Sequence, residues 1–260
     1  MSNMSQNEPE GILSDDDLDA LEKALETSLS QANLSGVALP PLESFQEARR
    51  NYLRRPQAKV KSKGSYHHGN LRESLIGITM TQAEEKGITG VSLRSIAKEA
   101  GVSAPAMYRH FADKDALMVT VAEQGFRELR DWLRFAAPPE IPFTLRLKRF
   151  CLAYLNFMTE YALYFQLMFG LEIKHRHGYP GLANAYEEIM ALWADLVISG
   201  REAGALRKDM PAEDQVLHLA TSLHGLSNFS VLGLLENDKI ETLLDNLLTA
   251  VLSGISQSEA

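Results

Sequence analysis

The run of residues 92–111 constrains the fold of this chain more than any other segment. The apolar residues of its first half fall three and four apart and therefore share one helical face: Leu93, Ile96, Ala97 and Ala100. Gly101 then offers the positive φ angle that a tight turn after a helix requires. Ser103 can cap a second helix, with Pro105 in its first turn, where a missing N–H costs little. The run therefore predicts two short helices that cross at a steep angle, with helices beginning after Ser92 and after Ser103.

The second of these helices has an inner and an outer face. Met107 and Phe111 are expected to return to the core. The residues left facing outward are Arg94, Ser103, Ala104, Pro105, Tyr108, Arg109 and His110. A helix that begins with small residues and carries polar neighbours can approach the DNA major groove closely. The pattern is thus typical of a helix-turn-helix.

The distribution of charge is compatible with DNA binding, although the net charge is −8 and the pI is about 5.4. Residues 1–48 hold ten acidic residues and one basic residue, whereas residues 49–72 hold eight basic residues and no acidic one. Phosphates respond to the local field, because salt screens charges beyond about 8–10 Å. The concentrated basic segment therefore matters more than the chain average.

Several classes of protein are disfavoured by what the sequence contains. Cys151 is its single cysteine, which excludes an internal disulfide and a multi-cysteine zinc site and fits a reducing cytoplasm. Neither a transmembrane span nor a signal peptide is expected from the hydropathy pattern. We find no Gly-rich phosphate loop, nucleophile elbow or metal-ligand spacing, so we predict no enzyme activity, catalytic residue, metal or cofactor.

The chain is predicted to be all-α and to contain four sections. Residues 1–48 form an acidic extension with a possible short amphipathic helix over 14–30, and residues 49–69 form a basic arm. Residues 70–135 hold the helix-turn-helix and a connecting helix; the first helix is expected to end at Gly87, and the fourth to begin after Asp113. Residues 136–260 read as a second domain with about five further helices.

The helix-turn-helix run resembles the tetracycline-repressor (TetR) family of bacterial regulators. The family pattern, approximately Thr-x-x-x-Ile-Ala-x-x-Ala-Gly-Val-Ser-x-x-x-x-Tyr-x-His-Phe-x-x-Lys-x-x-Leu, is matched nearly throughout from residue 92 to Leu117, with Ser92 in place of threonine. The resemblance is specific over about residues 66–120. It implies a three-helix DNA-binding domain followed by a helical domain for ligand binding and dimerisation.

Carried over by position, the resemblance implies which side chains contact DNA. The residues expected to contact phosphates are Ser92, Tyr108, His110 and Lys114. Those expected to contact bases or the groove are Arg94, Ser103, Ala104 and Pro105. The segment before the first helix adds Lys61, Lys63, Tyr66 and His67 as candidates, because basic arms can lie along phosphates or in the minor groove. A flexible charged linker is the alternative for this segment.

The second domain is rich in aromatic residues at its start. Residues 143–169 contain eight of the twenty aromatic side chains of the chain, a density that suits either an ordinary helical core or a mostly apolar pocket. The resemblance favours the pocket, since the family usually binds an effector between these helices. The candidate lining residues are Phe150, Tyr154, Phe157, Met158, Tyr161, Phe165, Trp193, His224 and Asn228.

The last two predicted helices carry broad apolar faces, and the resemblance implies that they pair into the four-helix interface of a homodimer. A two-fold dimer matches a palindromic double-stranded DNA operator. The expected protein is a cytoplasmic transcriptional regulator, a repressor released by a small apolar effector. Control by a protein partner, or by the acidic extension itself, is the alternative.

The basic arm generates the first prediction. Replacing Lys61 and Lys63 together by alanine should reduce the slope of log K against log salt concentration for DNA binding by about 2, because each engaged lysine releases roughly one counterion. The slope is measured by fluorescence anisotropy between low and physiological salt. An unchanged slope would identify the arm as a linker.

Overall fold

The computed structural model describes residues 71–170, 178–236 and 239–255. Over these ranges the chain forms α1 (Leu71–Gly90), α2 (Leu93–Ala100), α3 (Ala104–His110), α4 (Lys114–Ala136), α5 (Phe143–Glu160), α6 (Ala162–Phe169), α7 (Pro180–Glu202), α8 (Ala212–Val231) and α9 (Ile240–Ile255). The all-α prediction is confirmed. The acidic extension with its predicted helix over 14–30, and the basic arm, lie outside the described residues.

The first helix differs from the sequence prediction at its end. We expected α1 to stop at Gly87, but the helix continues to Gly90 across a kink. Gly87 itself has φ 73° and ψ 162°, so the helical geometry does break at the predicted residue. The chain then resumes one more turn, which buries Ile88 in the core. The backbone break was therefore predicted correctly, and the following turn was missed.

Helix α4 joins the two halves of the molecule. Asp113 caps its start, where the carboxylate accepts a hydrogen bond from the Ala116 N–H at 2.7 Å. The helix ends at Ala136, and three prolines follow it between residues 138 and 142. Near its beginning Leu117 and Val121 are fully buried, and near its end Trp132 and Leu133 are almost fully buried. One helix thus contributes to the core along its whole length.

The described residues of the second half form five helices, α5 to α9, in agreement with the number predicted, and α5 contacts the other four. Helix α8 contacts α5, α7 and α9, while α4 lies against α6, α7 and α5. Cys151 on α5 is buried in this core, as expected for a small packing residue, and burial raises the pKa of its thiol. Among the described residues, no helix combines the length and apolar character that crossing a bilayer demands.

A buried arginine fixes the junction between α4, α5 and α7. Arg146 is 5% exposed and donates through Nε to the Ala137 carbonyl at 3.2 Å, directly after α4 ends. Its remaining nitrogens donate to Ser199 Oγ at 3.0 Å and to Asp195 Oδ2 at 2.5 Å, both on α7. Because a buried guanidinium needs several acceptors, these partners hold the three helices in one arrangement.

This junction generates the second prediction. Arg146→Met should lower the free energy of unfolding by about 3 kcal/mol, because the buried Ala137 carbonyl and its neighbours lose their donor. The matched control is Arg130→Met, which breaks ion pairs with the partly exposed Asp131 and Glu188 and should cost at most about 1 kcal/mol. Urea unfolding followed by tryptophan fluorescence measures both variants. Equal losses would contradict a structural role specific to Arg146.

Candidate functional site

The turn between α2 and α3 is built as the sequence indicated. Ser92 caps α2, accepting from the Ser95 N–H at 3.1 Å, while Ser95 Oγ accepts from the Ser92 N–H at 3.2 Å. Gly101 closes the helix in the left-handed region at φ 68°. Ser103 then caps α3 by accepting from the Ala106 N–H at 3.3 Å. The caps fix where both helices begin, and so fix which side chains α3 presents.

The inner and outer faces of the motif also separate as expected. The four apolar residues of α2 are buried, and Met107 and Phe111 are 0% and 2% exposed. Tyr108 is 58% exposed, so its ring projects from α3 rather than packing in the core. The other predicted contact residues on this exposed surface are Ser92, Arg94, Ser103, Ala104, Pro105 and His110. All seven are exposed, and their contacts with DNA stay a prediction.

Five predicted contact residues need separate description. Lys61, Lys63, Tyr66 and His67 lie outside the described residues. Lys114 is partly buried at the start of α4, where its ammonium donates to the carbonyls of Ile88 at 2.7 Å and Thr89 at 3.2 Å. It therefore satisfies the carbonyls at the end of α1, a role that the sequence did not reveal.

A buried polar network behind the motif was missed from the sequence. Gln82 on α1 is 2% exposed; its amide nitrogen donates to Glu99 Oε2 at 2.6 Å, and its amide oxygen accepts from Ser95 Oγ at 2.7 Å. The network therefore locks α2 against α1 through both ends of one side chain. A glutamine among inward-facing apolar positions was the available signal.

Arg72 forms a second link that the sequence prediction did not include. Its guanidinium donates to Thr120 Oγ1 on α4 at 3.1 Å and lies over the Phe111 ring, 5.7 Å from the centroid. Phe111 directly follows α3, so this residue ties the start of α1 to the end of α3 and to α4. The orientation of α3 is thus held from both α1 and α4.

The predicted ligand-lining residues come together in the second half of the chain. Phe150 and Tyr154 lie edge-to-face against Trp193, with centroids 4.6 Å and 5.8 Å away. Phe157 lies tilted against Tyr161, with ring centroids 5.0 Å apart, and Met158 is 0% exposed. We call these side chains, together with Phe165 of α6 and His224 of α8, the aromatic cluster.

The polar centre of this cluster is a pair contributed by α5 and α8. Tyr154 Oη lies 3.0 Å from His224 Nδ1, and Tyr154 is 3% exposed. Burial raises the pKa of the Tyr154 hydroxyl and lowers the pKa of the His224 imidazole. Both groups are therefore neutral at pH 7, and with the imidazole proton on Nε2 the hydroxyl donates to Nδ1.

One predicted ring and one ring beyond the predicted list contact the His224 imidazole. Phe165, which was predicted, stacks on the imidazole at 5.0 Å, and Phe169, which was not, meets it edge-on at 4.6 Å. Phe126 on α4 contacts both Phe169 and the partly exposed Tyr186, extending the cluster toward the surface. Asn228, by contrast, is exposed on α8, and its role as a lining residue stays a prediction.

Each half of the chain matches a known family model. Residues 75–121 match the family model described as bacterial regulatory proteins, tetR family, and residues 147–251 match the tetracyclin repressor-like C-terminal domain. The two matched segments span more than half of the chain.

Solved structures share this architecture. A protein of unknown function from a Rhodococcus species is 28% identical, with a TM-score of 0.65, and the match covers 75% of this chain and all of that one. The fatty acid degradation regulator of Bacillus halodurans is 14% identical, with a TM-score of 0.59 and coverage of 73% and 98%. A ketosteroid transcriptional regulator of Mycobacterium tuberculosis is 17% identical, with a TM-score of 0.53 and coverage of 78% and 100%.

These similarities agree with the caps, the turn and the exposed recognition helix described above. The chain is a DNA-binding transcriptional regulator, not an enzyme, and it belongs to the TetR family.

Proposed function

We propose that this regulator is a homodimeric repressor, which binds a palindromic operator and releases it when a small, mostly apolar ligand enters the aromatic cluster. The observation that carries the DNA-binding part is the exposure of α3. Its first residues, Ala104 and Pro105, are small and exposed, and Tyr108 projects beside them. This shape allows the backbone of α3 to approach base edges while Tyr108 reaches a flanking phosphate.

An apolar surface on α8 supports the homodimer. Leu217 and Phe229 on this helix are 51% and 52% exposed, and Leu232 and Leu234 just after it are each 62% exposed. Large apolar side chains that are exposed along one helix and the turn that follows it favour an interaction surface there. A second copy of the chain is the proposed occupant, because two-fold pairing gives the operator symmetry that paired recognition helices read.

The aromatic cluster supports control by a ligand. Its walls are rings from four helices, and its centre holds one hydrogen-bonded pair, which is the composition of a small-molecule site. Helix α8 contributes both His224 to this cluster and the proposed dimer surface. A ligand that separates α8 from α5 would therefore change the spacing of the two recognition helices, provided that it binds the changed arrangement more tightly.

Lys114 generates the third prediction. The two described contacts of its ammonium use two of its three N–H donors, and we propose that the third donates to a phosphate. Lys114→Met should lower the salt slope of operator binding by about 1 and the free energy of unfolding by about 1 kcal/mol. The control is Lys208→Met, an exposed lysine between α7 and α8 that should change neither quantity. A loss of stability with an unchanged salt slope would show that Lys114 only binds the carbonyls at the end of α1.

The operator itself generates the fourth prediction and tests the proposed function. Selection from random DNA with the full-length protein should enrich a palindrome whose half-sites lie about 10–10.5 base pairs apart, or a multiple of that spacing. Ala104→Leu, which places a large side chain on the groove-facing end of α3, should abolish the enrichment. Ala191→Leu, at an exposed position of α7, should preserve it. Enrichment of an asymmetric site, or of none, would contradict a dimeric operator reader.

A further inference from the structure

The hydrogen bond between Tyr154 and His224 crosses from α5 to α8 inside a wall of rings, and it is the polar feature on which the chemical class of the ligand depends. Its two atoms lie 3.0 Å apart. Phe165, Phe169 and Trp193 surround the pair at centroid distances of 4.6–5.8 Å from one or other of its rings. A buried donor and a buried acceptor that lose each other must each find a new partner, since an unpaired one costs about 1–3 kcal/mol.

The two atoms offer opposite hydrogen-bonding roles. When the imidazole proton is on Nε2, the hydroxyl of Tyr154 is the donor and Nδ1 of His224 is the acceptor that faces it. A ligand hydroxyl satisfies both at once, because its oxygen accepts from Tyr154 and its proton is donated to Nδ1. A hydrocarbon satisfies neither atom. A carbonyl group satisfies Tyr154 and leaves Nδ1 without a donor.

The charges around the cluster disfavour an anionic ligand. The rings that contact the pair are uncharged, and the carboxyl of Glu128 on α4 interacts with Tyr164 of α6 at the margin of the cluster. Burial raises the pKa of Glu128, so this carboxyl already resists ionisation in its surroundings. A carboxylate brought among these rings would lose its hydration and meet the partial negative faces of the aromatic walls.

We propose that the effector is an apolar alcohol or phenol whose hydroxyl inserts between Tyr154 Oη and His224 Nδ1. The inference deepens the proposed function and rests on it for the regulatory consequence, although the binding step stands independently. Insertion replaces one hydrogen bond by two, so the distance between Oη and Nδ1 increases from 3.0 Å to roughly 5 Å. This separation moves α8, the helix of the proposed dimer surface, away from α5.

The test, the fifth prediction, compares three probes of the same aromatic frame: 2-naphthol, 2-methylnaphthalene and 2-naphthoic acid. Isothermal titration of the full-length protein at pH 7 should show 2-naphthol binding at least about tenfold more tightly than either of the others, since two neutral hydrogen bonds contribute about 1–2 kcal/mol. Binding of 2-naphthol no tighter than that of 2-methylnaphthalene, tighter binding of the acid, or no binding of any probe overturns the proposal.

Two variants assign the preference to the pair. Tyr154→Phe keeps the ring and removes the hydroxyl, so 2-naphthol can then make only the hydrogen bond to His224 Nδ1, and its advantage over 2-methylnaphthalene should shrink. The matched control is Tyr164→Phe, which removes another largely buried hydroxyl from the edge of the cluster and should preserve the advantage. Equal effects of both variants would overturn the assignment to Tyr154.

The proposal fails separately from the proposed function. If the operator selection yields a palindrome but the naphthalene probes show no preference for the hydroxyl, the dimeric DNA reader stands and the ligand class is wrong. If 2-naphthol binds as expected but no palindrome is enriched, the ligand site at Tyr154 and His224 stands and the proposed dimeric operator binding is wrong. Adding 2-naphthol to the operator complex tests whether ligand binding and DNA binding are coupled. Release of DNA is the expected result.

Discussion

Burial of α4 along its whole length is the interaction on which the rest of the structure depends. Its first turns supply Leu117 and Val121 to the core beneath the helix-turn-helix, and its last turns supply Trp132, whose indole N–H donates to the Ala153 carbonyl of α5 at 3.1 Å. Because these faces of α4 are apolar, exposing either end of the helix to water would be unfavourable. A displacement at one end must therefore be accommodated by repacking, or be carried to the other end, because close-packed cores deform little.

Contacts at the start and in the middle of α4 connect this helix both to the helix-turn-helix and to the aromatic cluster. At its start, Lys114 holds the end of α1 and Thr120 accepts from Arg72, which also lies over the Phe111 ring after α3. At its middle, Phe126 contacts Phe169, the ring that meets His224 edge-on. One helix thus touches both the support of the recognition helix and the wall of the aromatic cluster, which makes it the physical connection that the proposed regulation requires.

The sequence predicted the local features of the fold because they depend on neighbouring residues. Ser92, Ser103 and Asp113 cap the helices that were expected to begin after them, and Gly101 makes the turn. Contacts between distant segments were beyond such reasoning. Tyr154 and His224 were each chosen as lining residues, but their hydrogen bond depends on how α5 meets α8, seventy residues apart in sequence. The Arg146 junction, the Gln82 network and the carbonyl partners of Lys114 were missed for the same reason, since periodicity identifies a buried face without identifying its partner.

A distance across the dimer shows whether a ligand in the aromatic cluster changes the spacing of the recognition helices. Ala112 is exposed between α3 and α4, so Ala112→Cys accepts a spin label, while the buried Cys151 does not react. Double electron–electron resonance should give one narrow distance in the operator complex, with recognition helices about 34–36 Å apart. With 2-naphthol and no operator, we expect a shifted mean distance in the parent protein and a smaller shift in Tyr154→Phe. The same distribution with and without 2-naphthol in the parent protein would contradict this expectation.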